Sequence, residues 1–334
     1  MRVTKSFLSA FLAFALLFGL LSCDLSSLTS NDQGANGFTP TVYTEVVKEL
    51  FETTYADQLS PNERAIYDAV TLLPAGTTSV DVTIPETPAL CQGRNPSDEE
   101  MDKLKADISR FTANALYAAW LDFPTLFWLD HSKYSYNMEV AGDDDGVVKL
   151  TKLTLNLSLT ASAGEIASQT EALARAVAGF TPLGTTVAEK VAYINTYLTS
   201  RIEYDLDAPN RSGVIGALVD GKCVCEGYAR AFDYLCEKAG IDAVCIPGYG
   251  ITEDKPEGEG HMWNAVALDG KRYGVDVTWN DTTWENAYLL VGADTVCHDT
   301  AFGTSHKPSM LTLEGPHKSF AFPAIEKLGY GINP

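Results

Sequence analysis

Cys225, His261 and Asp276 are the residues of this chain whose types and spacing suit covalent chemistry. Cys225 stands in Gly221-Lys222-Cys223-Val224-Cys225-Glu226-Gly227-Tyr228-Ala229-Arg230. From it onward Ala229, Phe232, Leu235, Cys236 and Ala239 recur at helical spacing until Gly240, which suits a left-handed cap. The spacing therefore puts Cys225 at a helix start. Unpaired N–H groups and the positive end of the helix dipole favour a thiolate there, which suits a nucleophile near neutral pH. The same place also suits a cysteine that is only a small buried side chain.

The run from His261 to Leu268 and the run from Lys271 to Trp279 read as two strands joined by Asp269-Gly270, a strong hairpin signal. A two-residue loop pairs Leu268 with Lys271, which sets Trp263 opposite Asp276 and His261 opposite Thr278. Asp276 is then a diagonal neighbour of His261 on one face, at about 7–8 Å between backbones, a gap that imidazole and carboxylate can bridge. A one-residue bulge would oppose Asp276 to Asn264 instead and turn it to the other face. A thiol, a base and a carboxylate orienting that base are the parts of a Cys-His-Asp constellation.

In this order and spacing, Cys225-x-Gly227-Tyr228-Ala229, His261-x-Trp263-Asn264 and Tyr273-x-x-Asp276-x-Thr278-Trp279 resemble the core of the transglutaminase-like (papain-like cysteine) superfamily, over about residues 160 to 300. The resemblance implies a helix carrying Cys225 as nucleophile, packed on an antiparallel sheet carrying His261 as base and Asp276 as orienter. It implies attack on an amide carbonyl of a peptide or protein and a thioester intermediate. Water resolves the thioester in a protease or amidase, and an amine does so in a crosslinking enzyme. Tyr204, in the Tyr204-Asp205 approach that belongs to the resemblance, is a candidate oxyanion donor beside the Cys225 N–H. Glu226 and Asn264 are candidate supports, and Trp263 and Trp279 either wall off water or pack the core. Cys223 lies outside the motif, as packing or a redox partner. The competing expectation is a binding or scaffold protein that uses the same fold without turnover.

The elements that must position these residues fall into two units, an α+β fold overall. Residues 159–334 are expected to form the catalytic domain, with helices over about 163–179 and 186–201, a buried strand over Ile241–Ile246 and an acidic loop from Thr252 to Gly260. Residues 41–158 are expected to form an accessory α+β unit. In it Ser60-Pro61 starts a helix, Ser97-x-x-Glu100 caps a long one, and Ser79–Ile84, Phe123–Leu129, Tyr134–Val140 and Val147–Leu159 read as strands. The three aspartates of Gly142-Asp143-Asp144-Asp145-Gly146 suit a solvated hairpin turn better than a calcium loop, whose ligands alternate. The Cys223-Val224-Cys225 pair has no second ligand pair at zinc-finger spacing, so neither a metal nor a cofactor is expected.

At the N-terminus, Arg2 and Lys5 precede an apolar run from Phe7 to Leu21 that is short for a membrane helix and reads as an export signal. Its end, Leu20-Leu21-Ser22-Cys23, resembles a bacterial lipobox. This makes residues 1–22 a signal peptide, Cys23 a lipidation site tethering the chain to a bilayer of a bacterial envelope, and residues 23–40 a flexible tether. Ordinary secretion is the alternative. The formal charge is −20, and it becomes −22 (22 basic against 44 acidic) once Arg2 and Lys5 leave with the leader. That balance argues against nucleic acid as a partner.

Overall fold

A computed structural model describes residues 54–283, 285–309 and 320–331. The signal segment, Cys23 and the tether lie outside the described residues. The first half holds helix α1 (Pro61–Thr71), strands β1 (Ser79–Val82) and β2 (Cys91–Gln92), helix α2 (Asp98–Asp122), and strands β3 (Leu129–Gly142) and β4 (Val147–Leu159). Both helices begin on capping boxes, Ser60 with Glu63 and Ser97 with Glu100, which satisfy N–H groups that the first turn leaves open. Strand β4 pairs antiparallel with β3 on one side and with β1 and β2 on the other. Leu153 and Leu155 alternate inward against Ile66, Ala115 and Leu116, all fully buried.

The three-aspartate segment turns the β3–β4 hairpin. Asp143 Oδ1 accepts the N–H groups of Asp145 and Val147 at 3.1 and 2.9 Å, while Lys149 pairs with Oδ2 at 2.8 Å. The strand expected over Phe123–Leu129 is replaced by turns up to Trp128. There the Phe123 carbonyl accepts the Leu126 N–H at 3.0 Å, and the carbonyls of Phe123 and Pro124 accept from Arg230 at 3.2 and 3.3 Å.

The second half holds helices α3 (Ala163–Ala176) and α4 (Val187–Thr199), short strands β5 (Glu203–Tyr204) and β6 (Lys222–Cys223), and helix α5 (Cys225–Lys238). Then come β7 (Ala243–Thr252), β8 (Lys255–Leu268), β9 (Lys271–Val275), helix α6 (Val277–Thr283), β10 (Leu289–Val291), β11 (Val296–Cys297), β12 (Thr300–Ala301), helix α7 (Phe302–Ser305) and β13 (His306–Pro308). A five-stranded antiparallel sheet runs β10-β9-β8-β7-β13. The fold is α+β. Helix α5 covers one face of the sheet, where Phe232 and Leu235 pack with Val266 and Val275. The other face carries Val244, Ile246, Trp263 and Ala265 against Tyr288 and Phe302.

Two expectations for this sheet need correction. The segment read as an acidic loop from Thr252 to Gly260 is mostly strand, because β7 and β8 stay paired out to Thr252 and Lys255. Backbone pairing of this stretch of β8 with β7 outweighs the loop-like composition. The β8–β9 register is as derived, from Leu268↔Lys271 to Asn264↔Val275, with no bulge. The second strand nevertheless stops at Val275, and residues 277–283 are helical.

The two halves share a core. Ala229 of α5, Cys245 of β7 and Met262 of β8 pack in the cluster built on α1 and α2. Tyr55 donates its hydroxyl to the Cys245 carbonyl at 2.6 Å. Arg230, fully buried, donates to the Trp120 carbonyl at the end of α2 as well as to those of Phe123 and Pro124. The last turn of a helix leaves carbonyls unpaired, and a guanidinium presents several donors to them. Helix α5 is thereby tied to the N-terminal half.

Candidate active site

Cys225 is the first residue of α5, and the preceding Val224 supplies no capping side chain. The N–H groups of the first turn are therefore left to other partners. The approach is fixed by β6, which pairs in parallel with β5 so that Tyr204 lies opposite Cys223, and by the Val224 N–H, which donates to the Arg211 carbonyl at 3.0 Å. Gly227 makes this close passage possible. A Cβ there would stand 2.4 Å from Cys223 Cβ and 2.5 Å from the Arg211 oxygen. The two neighbouring cysteines differ in access. Cys223 is fully buried and burial pushes its thiol pKa up, whereas Cys225 is half-buried and lines a cavity of about 440 Å³. All described cysteines are free thiols.

His261 lines the same cavity from β8, and Asp276 stands behind it. Asp276 belongs to no ladder, so the expected pairings Trp263–Asp276 and His261–Thr278 do not form. Its N–H donates to Tyr288 at 2.9 Å, its carbonyl accepts from Asn280 at 3.0 Å, and its Oδ1 accepts the Trp279 N–H at 3.0 Å. That is the geometry of a helix N-cap, and aspartate favours it because its side-chain oxygen satisfies a first-turn donor. The cap leaves Oδ2 free to face His261. His261 Nε2 donates to it at 2.6 Å, and neither group is more than 6% exposed. Helix α6 is itself held by Asn280, which donates to Asn195 of α4 at 2.9 Å.

Burial opposes the charged form of His261. The Asp276 carboxylate, by charge and hydrogen bond, and Cys225, in the same two ways, outweigh it and push the pKa up to about 10. Burial likewise opposes the charged form of Asp276, and the charge and donor of His261, with the donor of His306, outweigh it, so its carboxyl lies well below the usual range. With Nε2 on Asp276, the His261 Nδ1 is the ring atom left for Cys225. The arrangement can hold a thiol, a proton-carrying imidazole and a buried carboxylate in series.

The other sequence-derived candidates divide. Tyr204 and Glu226 line the cavity with Cys225. Burial, then the Cys225 charge, pushes the Tyr204 hydroxyl up to about 12, so it remains a proton donor. The Trp279 ring stacks on His261 at 5.2 Å between centroids and the buried Trp263 ring at 6.0 Å. Gly250 admits them, since a Cβ there would lie 3.0 Å from Trp279 Cζ2 and 3.3 Å from His261 Cβ. Asn264 faces the other side of the sheet, where it donates to the Ala229 carbonyl at 3.0 Å and joins β8 to α5.

Some residues of the site went unread in the sequence. Tyr117, Trp120 and His131 from the first half line the cavity. His306 of β13, 2% exposed, donates from Nε2 to Asp276 Oδ2 at 3.0 Å. No motif surrounds it, and it lies 30 residues beyond Asp276. His261, Asp276 and His306 offer ligand atoms within 4.8 Å of one another and so could be considered for a metal. The two nitrogens stand 2.6 and 3.0 Å from one oxygen, whereas ligands around a tetrahedral zinc are separated by about 3.4 Å. The spacing is that of hydrogen bonds.

Residues 172–279 match the family described as the Transglutaminase-like superfamily. The chain carries a transglutaminase-like domain. This domain runs from α3 to the start of α6 and so includes Cys225, His261 and Asp276. Among curated proteins, the chain is similar to Kyphoscoliosis peptidase of Mus musculus, at 30% identity over 136 residues, 36% of this chain and 21% of that protein. The human protein of that name is 32% identical over 102 residues, 27% of this chain and 15% of that one. The chain thus spans about a fifth or less of the length of these relatives. Among solved structures, a candidate cysteine protease from Cytophaga hutchinsonii shares 15% identity at TM-score 0.28, over 44% of this chain and 65% of that one. The periplasmic domain of TgpA from Pseudomonas aeruginosa shares 14% identity at TM-score 0.23, over 45% and 64%.

Proposed function

We propose that the transglutaminase-like domain is a thiol enzyme acting on amide bonds of peptides or proteins, with Cys225 as nucleophile, His261 as acid and base, and Asp276 as orienter. The observation that carries this reading is His261, which shares one cavity with Cys225 and is held from behind by Asp276 at 2.6 Å. The Cys225 sulfur attacks the amide carbon and a C–S bond forms. The C–N bond then breaks as His261 gives its proton to the departing amine. Water, or an acceptor amine, gives a proton to His261 and attacks the thioester, and the Cys225 sulfur leaves. The Cys225 N–H and the Tyr204 hydroxyl are the donors proposed for the oxyanion. The peptidase name of the curated relatives favours peptide substrates.

A thiol-reactive probe tests the reading. Rapid labelling of Cys225 that His261→Ala abolishes supports it, and slow labelling indifferent to that change indicates a binding protein instead. Offering a peptide with and without a labelled amine then separates hydrolysis from transamidation. The leader-like run before Cys23 supports export and lipid tethering, with envelope peptides or proteins as substrates. Radiolabelled palmitate should enter the native chain and not Cys23→Ala.

A further inference from the structure

We propose that His306 is a positioning residue for this site, giving Asp276 a second side-chain N–H so that the carboxylate stays aimed at His261. The proposal rests on the triad reading above. A carboxylate only accepts, so the His306 nitrogen at 3.0 Å from Asp276 Oδ2 carries the hydrogen. Burial lowers the pKa of His306 against the pull of Asp276, which keeps the ring neutral and makes Nδ1 an acceptor. Ser305 Oγ lies 2.9 Å from Nδ1, nearer than its 3.2 Å to the Phe302 carbonyl, and supplies the hydrogen that fixes this tautomer.

The ring is held on its other sides. It stacks on Phe302 at 3.9 Å and meets Trp279 at 4.4 Å and Trp263 at 5.0 Å, while β13 pairs His306 with Gly250 on the sheet edge. Asp276 thus takes three donors, the Trp279 N–H on Oδ1 and two imidazoles on Oδ2. A buried carboxylate needs its lone pairs satisfied, and each donor fixes its plane. Without His306, the plane of Asp276 is held by its cap and His261 alone, and its charge falls more fully on His261. Besides Asp276 and His261, Tyr288 packs against the ring at 5.9 Å, and burial pushes its hydroxyl up to about 12.

The test is the rate at which iodoacetate alkylates Cys225 in the full chain between about pH 6 and 11, read by mass spectrometry. An imidazolium attracts this anion, so the alkaline limb reports loss of the His261 proton. In His306→Leu the maximal rate should fall about tenfold or more and the limb should move to higher pH. In His306→Gln, whose amide N–H can still reach Asp276, most of the rate and the native limb should return. A native profile in His306→Leu overturns the proposal, as does a slowed profile with an unshifted limb that Gln does not rescue. If His306→Leu does not fold, Ser305→Ala should shift the limb in the same direction by less, and an unshifted limb overturns the proposal. His261→Ala in parallel separates the two readings. Native-like labelling of that variant removes the triad reading, while slow labelling of it beside a native-like His306→Leu removes only this one.

Discussion

Asp276 Oδ2 receives His261 at 2.6 Å while Asp276 Oδ1 caps helix α6 through the Trp279 N–H at 3.0 Å. One carboxylate therefore starts a helix and orients an imidazole. The two roles come apart in Asp276→Asn, because asparagine caps helices about as well as aspartate but carries no charge. This variant should keep helix α6 capped, lose the stability that the charged pair with His261 contributes, and lose on the order of 10²- to 10⁴-fold in kcat/KM. The alkaline limb of Cys225 alkylation should move down from near 10 toward the ordinary histidine range. Thermal melting and iodoacetate kinetics on the same preparation check both halves.

Stability should depend on pH through the same pair. The His261 pKa is raised, so its stabilising contribution is fully present below its ordinary 6.5 and is lost as pH rises through about 10. The Asp276 pKa is lowered, so its contribution is present above its ordinary 3.8 and is lost as pH falls through the folded value. Thermal melting should show the pair's support greatest between those two ordinary values. His261→Gln should flatten the decline between about pH 7 and 10 relative to the native chain.

Arg230 should matter to stability more than its place on the helix that begins at Cys225 suggests. Arg230→Met removes the side-chain donors to the carbonyls of Trp120, Phe123 and Pro124 in the interior. A loss of about 2–5 kcal/mol is expected by urea denaturation. Hydrogen exchange should speed up at the end of α2 before it does in the β7–β9 sheet.

Gly227→Ala tests the close passage beneath Cys225. The added Cβ overlaps Cys223 and the Arg211 carbonyl, and overpacking of this kind costs about 1–3 kcal/mol. Relief by displacement of β6 should also slow Cys225 alkylation by roughly tenfold or more. Alkylation kinetics and denaturation midpoints would read the two effects.

Tyr204→Phe should reduce kcat and leave KM nearly unchanged, because an oxyanion donor acts on charge that appears only in the transition state. Loss of such a donor costs about 10²- to 10³-fold elsewhere, and a smaller effect is expected if the Cys225 N–H holds most of the charge. Steady-state kinetics on a peptide amide would distinguish the two.

Spacing along the chain determined the local parts of this protein. Ser60, Ser97 and Asp269-Gly270 each act within a few residues, so the helix starts and the β8–β9 register are legible without a partner segment. The same holds for Cys225, whose helix starts where the apolar period starts. Asp276 does lie beside His261, as strand parity places it, although its strand ends at Val275. The N-cap turns one carboxylate oxygen into the helix and presents the other to His261.

Only the tertiary structure decided what lies around these parts. His306 reaches Asp276 because β13 joins the far edge of the sheet at Gly250, and strand pairing over that separation leaves no periodic trace in sequence. Trp120 and His131 enter the cavity because buried Arg230 binds α5 to the end of α2. Which side chains meet across a core depends on how separate amphipathic faces pack, and that is set by shape and unpaired polar groups on both partners.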